Sequence, residues 1–154
     1  MVGDTSQAKR FAPRRMEVGK LIEVLVGEHA LMRLGMGKAK AAAGVRDFEG
    51  VRRALQEVDP VFRQHVADEE AQILGLLIGK LGVKGAESEI EVFRQHRPIY
   101  ELMNKIGKFA GESPAQLEED QSELDRLFEE HTNLEETRVF PKAIALGKGL
   151  AEAV

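Results

Sequence analysis

The chain holds only four histidines, His29, His65, His96 and His131, and they stand 36, 31 and 35 residues apart. Apolar residues occupy the positions four and three before each: Leu25 and Val26, Val61 and Phe62, Val92 and Phe93, Leu127 and Phe128. On a helix these positions share the histidine's face. The fold must therefore gather four apolar helical stripes, each carrying one imidazole.

Breakers and caps cut the chain to match. A first helix is expected from about Arg15 to Ala43, stopped by Gly44, and a second from about Phe48 to Leu81, capped by Asp47 and followed by Gly82 and Gly85. A third is expected from about Ala86 to Ala110, stopped by Gly111. The fourth starts with Ser113 as N-cap, Pro114 at its first position and Gln116 closing a capping box, and runs to about Phe140, where Pro141 interrupts it. Pro60 and Pro98 are expected to kink or break helices two and three. Four long helices with short connections predict an all-α fold, an antiparallel up-down-up-down four-helix bundle over residues 14–141. Residues 1–13 read as an N-terminal arm, and 142–154 as a C-terminal tail or short helix. An apolar share of 43% with only 5% aromatics agrees with helices. Each histidine lies about 12 to 20 residues from its neighbouring connection, so at 1.5 Å rise per residue all four converge near one cross-section.

Other readings fall away on composition. Cysteine is absent, which removes disulfides, thiolate metal sites and thiol catalysis. A formal charge of −4 without a basic stripe argues against nucleic acid as a partner. No run has the length of a membrane span, and Met1 to Pro13 lacks the apolar core of a signal peptide. Arg14-Arg15 precedes Met16-Glu17-Val18-Gly19-Lys20 rather than an apolar stretch, so the expected compartment is the cytoplasm.

Four neutral imidazoles in one dry layer need partners for eight ring nitrogens, and metal ions satisfy half of them together. Glu69 follows His65 by four residues and Glu135 follows His131 by four, so each pair projects from one helix face. Two buried carboxylates without a cation repel, whereas two divalent cations turn the repulsion into attraction. The set divides into two terminal imidazoles per metal with both carboxylates bridging, the metals about 3.5–4 Å apart. Nitrogen and oxygen ligands with open positions suit iron; manganese or a mixed pair is the alternative. Glu70 and Glu136 belong to the solvated face on this reading, with a one-residue swap in ligand choice left open.

The same residues resemble the hemerythrin superfamily, specifically its HHE cation-binding domains. The likeness rests on Glu28-His29, on His65-Val66-Ala67-Asp68-Glu69-Glu70, on Gln95-His96, and on His131-Thr132-Asn133-Leu134-Glu135-Glu136 followed by Phe140-Pro141, across about residues 16–141. The resemblance implies a four-helix bundle holding two iron ions (Fe2+/Fe3+) with an oxo or hydroxo bridge. It also implies an iron position open to dioxygen, nitric oxide or hydrogen peroxide. Oxygen-carrying members place a second histidine four residues after that of helix three, where this chain has Tyr100, its only tyrosine. Tyr100 is either a core or hydrogen-bonding residue or an iron ligand through its phenolate. Cluster-repair members usually carry a cysteine-bearing N-terminal extension, so a sequence without cysteine makes that role a weaker expectation.

Three functions follow in order. The first is a diiron protein that binds or senses dioxygen or a related small molecule. The second is an enzyme that uses the centre to decompose hydrogen peroxide or reduce nitric oxide. The third is a metal-free helical interaction protein. Phe62, Phe93, Phe128, Met32 and Met103 are expected in the core near the site, lining a dry pocket. Gly27, Gly35 and Gly37 around His29 serve either close helix packing or mobility of helix one. The physiological ligand, any protein partner and the oligomeric state are not readable at this level.

Overall fold

The computed structural model describes residues 11–109 and 113–152. Residues 1–10 of the expected arm, the Ala110–Gly111 end of the third helix and the last two residues lie outside these. The elements are α1 (Val18–Gly44), α2 (Phe48–Asp68), a π-turn (Glu69–Ile73), α3 (Leu74–Gly85), α4 (Glu87–Phe93), α5 (His96–Gly107), α6 (Pro114–Leu134), a second π-turn (Glu135–Val139) and α7 (Phe140–Glu152). Among the described residues there is no strand. The pairs α2–α3, α4–α5 and α6–α7 each form one arm, and with α1 they make a four-helix bundle. Helix α1 packs on α2 and α6, and α5 packs on the same two. No helix among the described residues is long and apolar enough to cross a membrane.

Local chemistry sets the ends. The Glu17 carboxylate accepts from the Gly19 and Lys20 amides at 2.8 and 3.0 Å, starting α1 three residues later than expected. Asp47 caps α2 by accepting from Gly50 N at 2.9 Å, after a turn in which Arg46 takes φ 57°. Gly82, at φ 74° and ψ 167°, breaks the second arm beside the expected Leu81 end, a conformation that costs glycine little. Ser113 Oγ accepts from Gln116 N, but the Gln116 side chain turns to Asp120 Oδ1 at 2.9 Å, so the expected capping box is only half formed. The third arm breaks at Arg94–Gln95, just before Pro98, which lacks the N–H that would bond the Arg94 carbonyl. Helix α2 runs on through Pro60. Pro141 does not interrupt the fourth arm either. The irregularity falls in the π-turn just before it, and α7 continues to Glu152 with Ala143 fully buried.

The core is two apolar layers. One holds Met32 and Met36 from α1, Val58 and Phe62 from α2, Ile99 and Met103 from α5, and Leu124 and Phe128 from α6. The other holds Leu21 and Leu25 from α1, Ile73 and Leu77 from the second arm, Val92 and Phe93 from α4, and Val139, Phe140 and Ala143 from the fourth arm. In every arm the histidine falls between the two layers: Leu25–His29–Met32, Phe62–His65–Ile73, Phe93–His96–Ile99 and Phe128–His131–Val139. A polar stratum thus sits between two dry ones. Of the three glycines around His29 only Gly35 serves close packing, since a Cβ there would run into the Val58 side chain. Gly27 and Gly37 face open space.

Candidate metal centre

All six acid and imidazole candidates meet in this stratum. His29, Glu69 and Glu135 are wholly buried, and His65, His96 and His131 are at most 5% exposed. They form two groups of four, His29–His65–Glu69–Glu135 and Glu69–His96–His131–Glu135, whose ligand atoms lie within 4.8 Å of one another. Glu69 and Glu135 belong to both groups. Each of the two carboxylates opens a π-turn one turn after its histidine, and the buried stripes there step by four: 65, 69, 73, 77 and 131, 135, 139, 143. In a plain α-helix each such step drifts about 40° around the axis. The wider π-turn takes up that drift and keeps histidine, carboxylate and apolar residue on one line.

The imidazoles are held in a closed ring. Glu28 on α1 accepts from His65 Nδ1 at 3.0 Å, and Glu70 on the second arm faces His96 Nδ1 at 3.2 Å. Gln95 from the third arm accepts from His131 Nδ1 at 2.9 Å, and Glu136 on the fourth accepts from His29 Nδ1 at 2.7 Å. Every arm thus fixes the histidine of the next. An acceptor at Nδ1 puts the proton of a neutral imidazole there and leaves the Nε2 lone pair pointing inward. Glu70 and Glu136 are partly exposed, as expected, yet they orient candidate ligands, His96 and His29. The pairs Glu28-His29 and Gln95-His96 are visible in the sequence, but which arm stands beside which is not.

Inside the ring the donors crowd. His29 Nε2 lies 3.1 Å from His65 Nε2 and 2.9 Å from Glu135 Oε1, and His96 Nε2 lies 2.9 Å from Glu69 Oε1. Glu69 Oε2, Glu135 Oε2 and His131 Nε2 are buried and make no hydrogen bond. Inward lone pairs facing one another and facing carboxylates repel unless a cation or proton lies between them. The donor set, two imidazole nitrogens and two carboxylates per group, fits divalent ions that take nitrogen and oxygen ligands.

Protons are the competing cations. Burial disfavours a charged His65, but Glu69, Glu135 and Glu28 outweigh it and lift its pKa well above the usual 6.5. Burial opposes the charge on His96 too, yet Glu69 and Glu70 raise it to about 9. Glu135 responds the opposite way: burial resists its ionisation, but Glu69, His131 and His29 hold its carboxyl well below the usual 4.5. Between pH 6.5 and about 9 the folded metal-free chain binds protons that the unfolded chain has lost. Its stabilisation from His96 is complete below 6.5 and disappears as the pH rises through about 9, while that from Glu135 disappears on acidification below 4.5. Metal must displace those protons, so its affinity has the reverse slope. Thermal denaturation of chelator-treated protein is expected to show a falling Tm from pH 6.5 to 9, while metal titrations over the same range show tightening. A flat Tm and a flat affinity would contradict the proton-filled site.

An outer shell flanks the first group. Arg14 donates from Nη2 to Glu28 at 2.9 Å, and from its backbone N and Nε to the fully buried Asp68, at 2.7 Å each. Burial opposes the charge on Glu28, but His65 and Arg14 hold its carboxyl below the usual range. Arg33 reaches Glu136 at 3.4 Å and Thr132 at 3.0 Å. Phe140 stacks on His29 at 5.7 Å and Phe93 on His96 at 5.3 Å, with Phe62 edge-on to His96. Of the apolar residues expected near the site, Phe128, Met32 and Met103 are buried in the layer containing Phe62. Sequence reasoning missed Arg14, Arg33 and Asp68, whose partners come from distant segments.

Tyr100 stands one turn beyond His96, and its hydroxyl accepts a hydrogen bond from the Arg63 guanidinium, which also lies over its ring. With Phe62, Val66, Glu70 and His96 it lines an open pocket of about 290 Å³ against the His96 side of the centre. Compared with protein-family models, curated proteins and solved structures, the chain matches none of them.

Proposed function

We propose that this protein is a hemerythrin-like, non-haem diiron protein that binds or senses dioxygen or a related small molecule. The observation that carries the proposal is the pair of four-residue groups sharing Glu69 and Glu135. That sharing supports two ions with the carboxylates bridging, His29 and His65 on one and His96 and His131 on the other. The alternation of the arms supports an up-down-up-down course: α1 and the third arm enter by the Leu21–Phe93 layer, the second and fourth by the Val58–Phe128 layer. An iron pair there supplies one-electron redox chemistry and open positions for dioxygen, nitric oxide or hydrogen peroxide. The chain's own residues keep the Nε2 atoms inward through the Glu28, Glu70, Gln95 and Glu136 ring, and exclude bulk water with the two apolar layers.

The Tyr100–Arg63 contact supports Tyr100 as a pocket residue rather than a ligand. Tyr100→Phe is therefore expected to leave the visible spectrum of the ferric protein unchanged; loss of a charge-transfer band would restore phenolate coordination.

Metal analysis of aerobically purified protein is expected to give two ions per chain, predominantly iron. Mixing the reduced form with dioxygen or nitric oxide is expected to give reversible adducts, and peroxide tests for turnover. Zero or one ion per chain overturns the dinuclear reading. Catalytic turnover of peroxide or nitric oxide replaces binding with enzymatic action. The pocket against His96 is the observation that favours that second reading, because it gives a reactant room beside one ligand.

A further inference from the structure

The outward face of α1 differs from those of α2, α5 and α6. These three helices carry ion pairs within themselves, Arg52–Glu49, Arg97–Glu101 and Arg126 with Glu123 and Glu130, and Arg94 just past the end of α4 pairs with Glu91. The face of α1 carries Leu31 at 55% exposure, Leu34 at 60% and Val26 at 38%, three of the five exposed large hydrophobic residues described. Beside them lie Gly27 and Ala30, both exposed, and a Cβ at Gly27 would meet nothing within 4 Å. A mid-helix glycine with no packing role costs about 1 kcal/mol of helix propensity. At the two ends of this face stand Glu23 and Lys38, both exposed and, among the described residues, without an ion pair or hydrogen bond from their side chains.

The spacing is symmetric. Glu23, Gly27, Ala30, Leu31, Leu34 and Lys38 are separated by four, three, one, three and four residues, so the set reads the same from either end about a point between Ala30 and Leu31. When two copies of α1 lie antiparallel across a two-fold axis at that point, Glu23 meets Lys38 of the second copy on both sides. Leu34 drops onto Gly27, and Ala30 faces Leu31. A two-fold interface must be self-complementary in this way, with each residue of a pair finding the other on the partner. A parallel pairing about the same contacts would instead set Glu23 against Glu23 and Lys38 against Lys38.

We propose that α1 is a self-association surface and that its occupant is a second copy of this chain, packed antiparallel through Leu31 and Leu34 and registered by reciprocal Glu23–Lys38 pairs. The small residues allow close helix approach, and the charges fix direction. The surface lies on the far side of α1 from His29, so both copies keep their metal centres and the pockets beside His96 stay open.

Sedimentation velocity of the full chain, up to about 100 μM so that an interface of modest area still populates its dimer, tests this. Glu23→Lys and Lys38→Glu each create two like-charge contacts and are expected to weaken the dimer about tenfold, while the double reversal restores it to about the wild-type constant. Leu34→Glu is expected to leave only monomer. All these side chains are exposed, and unchanged helix content by circular dichroism verifies that each variant folds. A wild-type chain that stays monomeric overturns the proposal and leaves the face to a different partner. A dimer indifferent to the single reversals, or one that the double reversal does not restore, overturns the antiparallel register.

Discussion

Replacing Glu135 with leucine is expected to remove most of the metal-dependent stabilisation while leaving the metal-free bundle folded. Glu135 belongs to both four-residue groups, so one substitution removes a candidate ligand from each. Wild-type protein with metal about a thousandfold above its dissociation constant gains about 4 kcal/mol per site, or about 8 kcal/mol for two. In a chain of this size each kcal/mol moves Tm by about 2–4 °C, so loading is expected to raise it by about 20 °C. In Glu135→Leu that rise is expected to shrink to a few degrees. The metal-free comparison separates this effect from a merely structural one. Glu135 is wholly buried and its Oε1 lies 2.9 Å from His29 Nε2 and 3.3 Å from His131 Nε2, so leucine takes a partner from buried imidazoles and the metal-free protein is expected to lose about 3 kcal/mol. The metal-bound form is expected to lose that and most of the metal's contribution as well. Differential scanning calorimetry with and without Fe2+ or Mn2+ separates the two: equal loss of Tm in both forms would make Glu135 a structural residue and empty the argument for a shared bridging ligand.

The legible part of this molecule was the part written in helix periodicity. Four apolar stripes each bearing one histidine predict both the bundle and the stratum in which His29, His65, Glu69, His96, His131 and Glu135 meet, because helical phase is a local property. The π-turns were legible in principle, in the runs of four that link 65 to 77 and 131 to 143, but a stripe near 3.6 residues per turn absorbs one such step unnoticed. Continuation through Pro141 was misjudged because the adjacent π-turn had already changed the backbone pairing in which proline is costly. The orienting ring was hidden for another reason. Glu28, Glu70, Gln95 and Glu136 each sit next to a candidate ligand in sequence but hold the histidine of a neighbouring arm, and lateral order among arms leaves no trace in any single helix. Arg14 was hidden in the same way, bonded to Asp68, 54 positions away.

Arg14→Ala is the second large effect, although the residue lies outside every helix and is not a ligand. Asp68 is 0% exposed, and Arg14 supplies its Nε bond, an ion pair from Nη2 and the backbone N bond; Gln64 adds one more at 3.1 Å. Alanine keeps the backbone donor and strips Asp68 Oδ2 of its cation, leaving a buried charge with no counterion. Such losses cost up to about 5 kcal/mol in a dry interior; the Arg14 side chain is 37% exposed, so water replaces part of it and about 2–3 kcal/mol is expected. That corresponds to a fall in Tm of about 6–9 °C. Adding Asp68→Asn to Arg14→Ala is expected to return most of it, because a neutral amide tolerates the site without a counterion. The same arginine steadies Glu28, which holds His65 Nδ1, and removal of such an orienting partner lowers metal affinity by about tenfold or more. Metal transfer to a chelator should therefore accelerate in Arg14→Ala and remain fast in the double variant, since Asp68→Asn removes the buried charge without restoring the Arg14–Glu28–His65 chain. Recovery of both stability and metal retention in the double variant would show that Arg14 acts only through Asp68, and no Tm change in the single variant would show that the segment before α1 does not anchor the bundle.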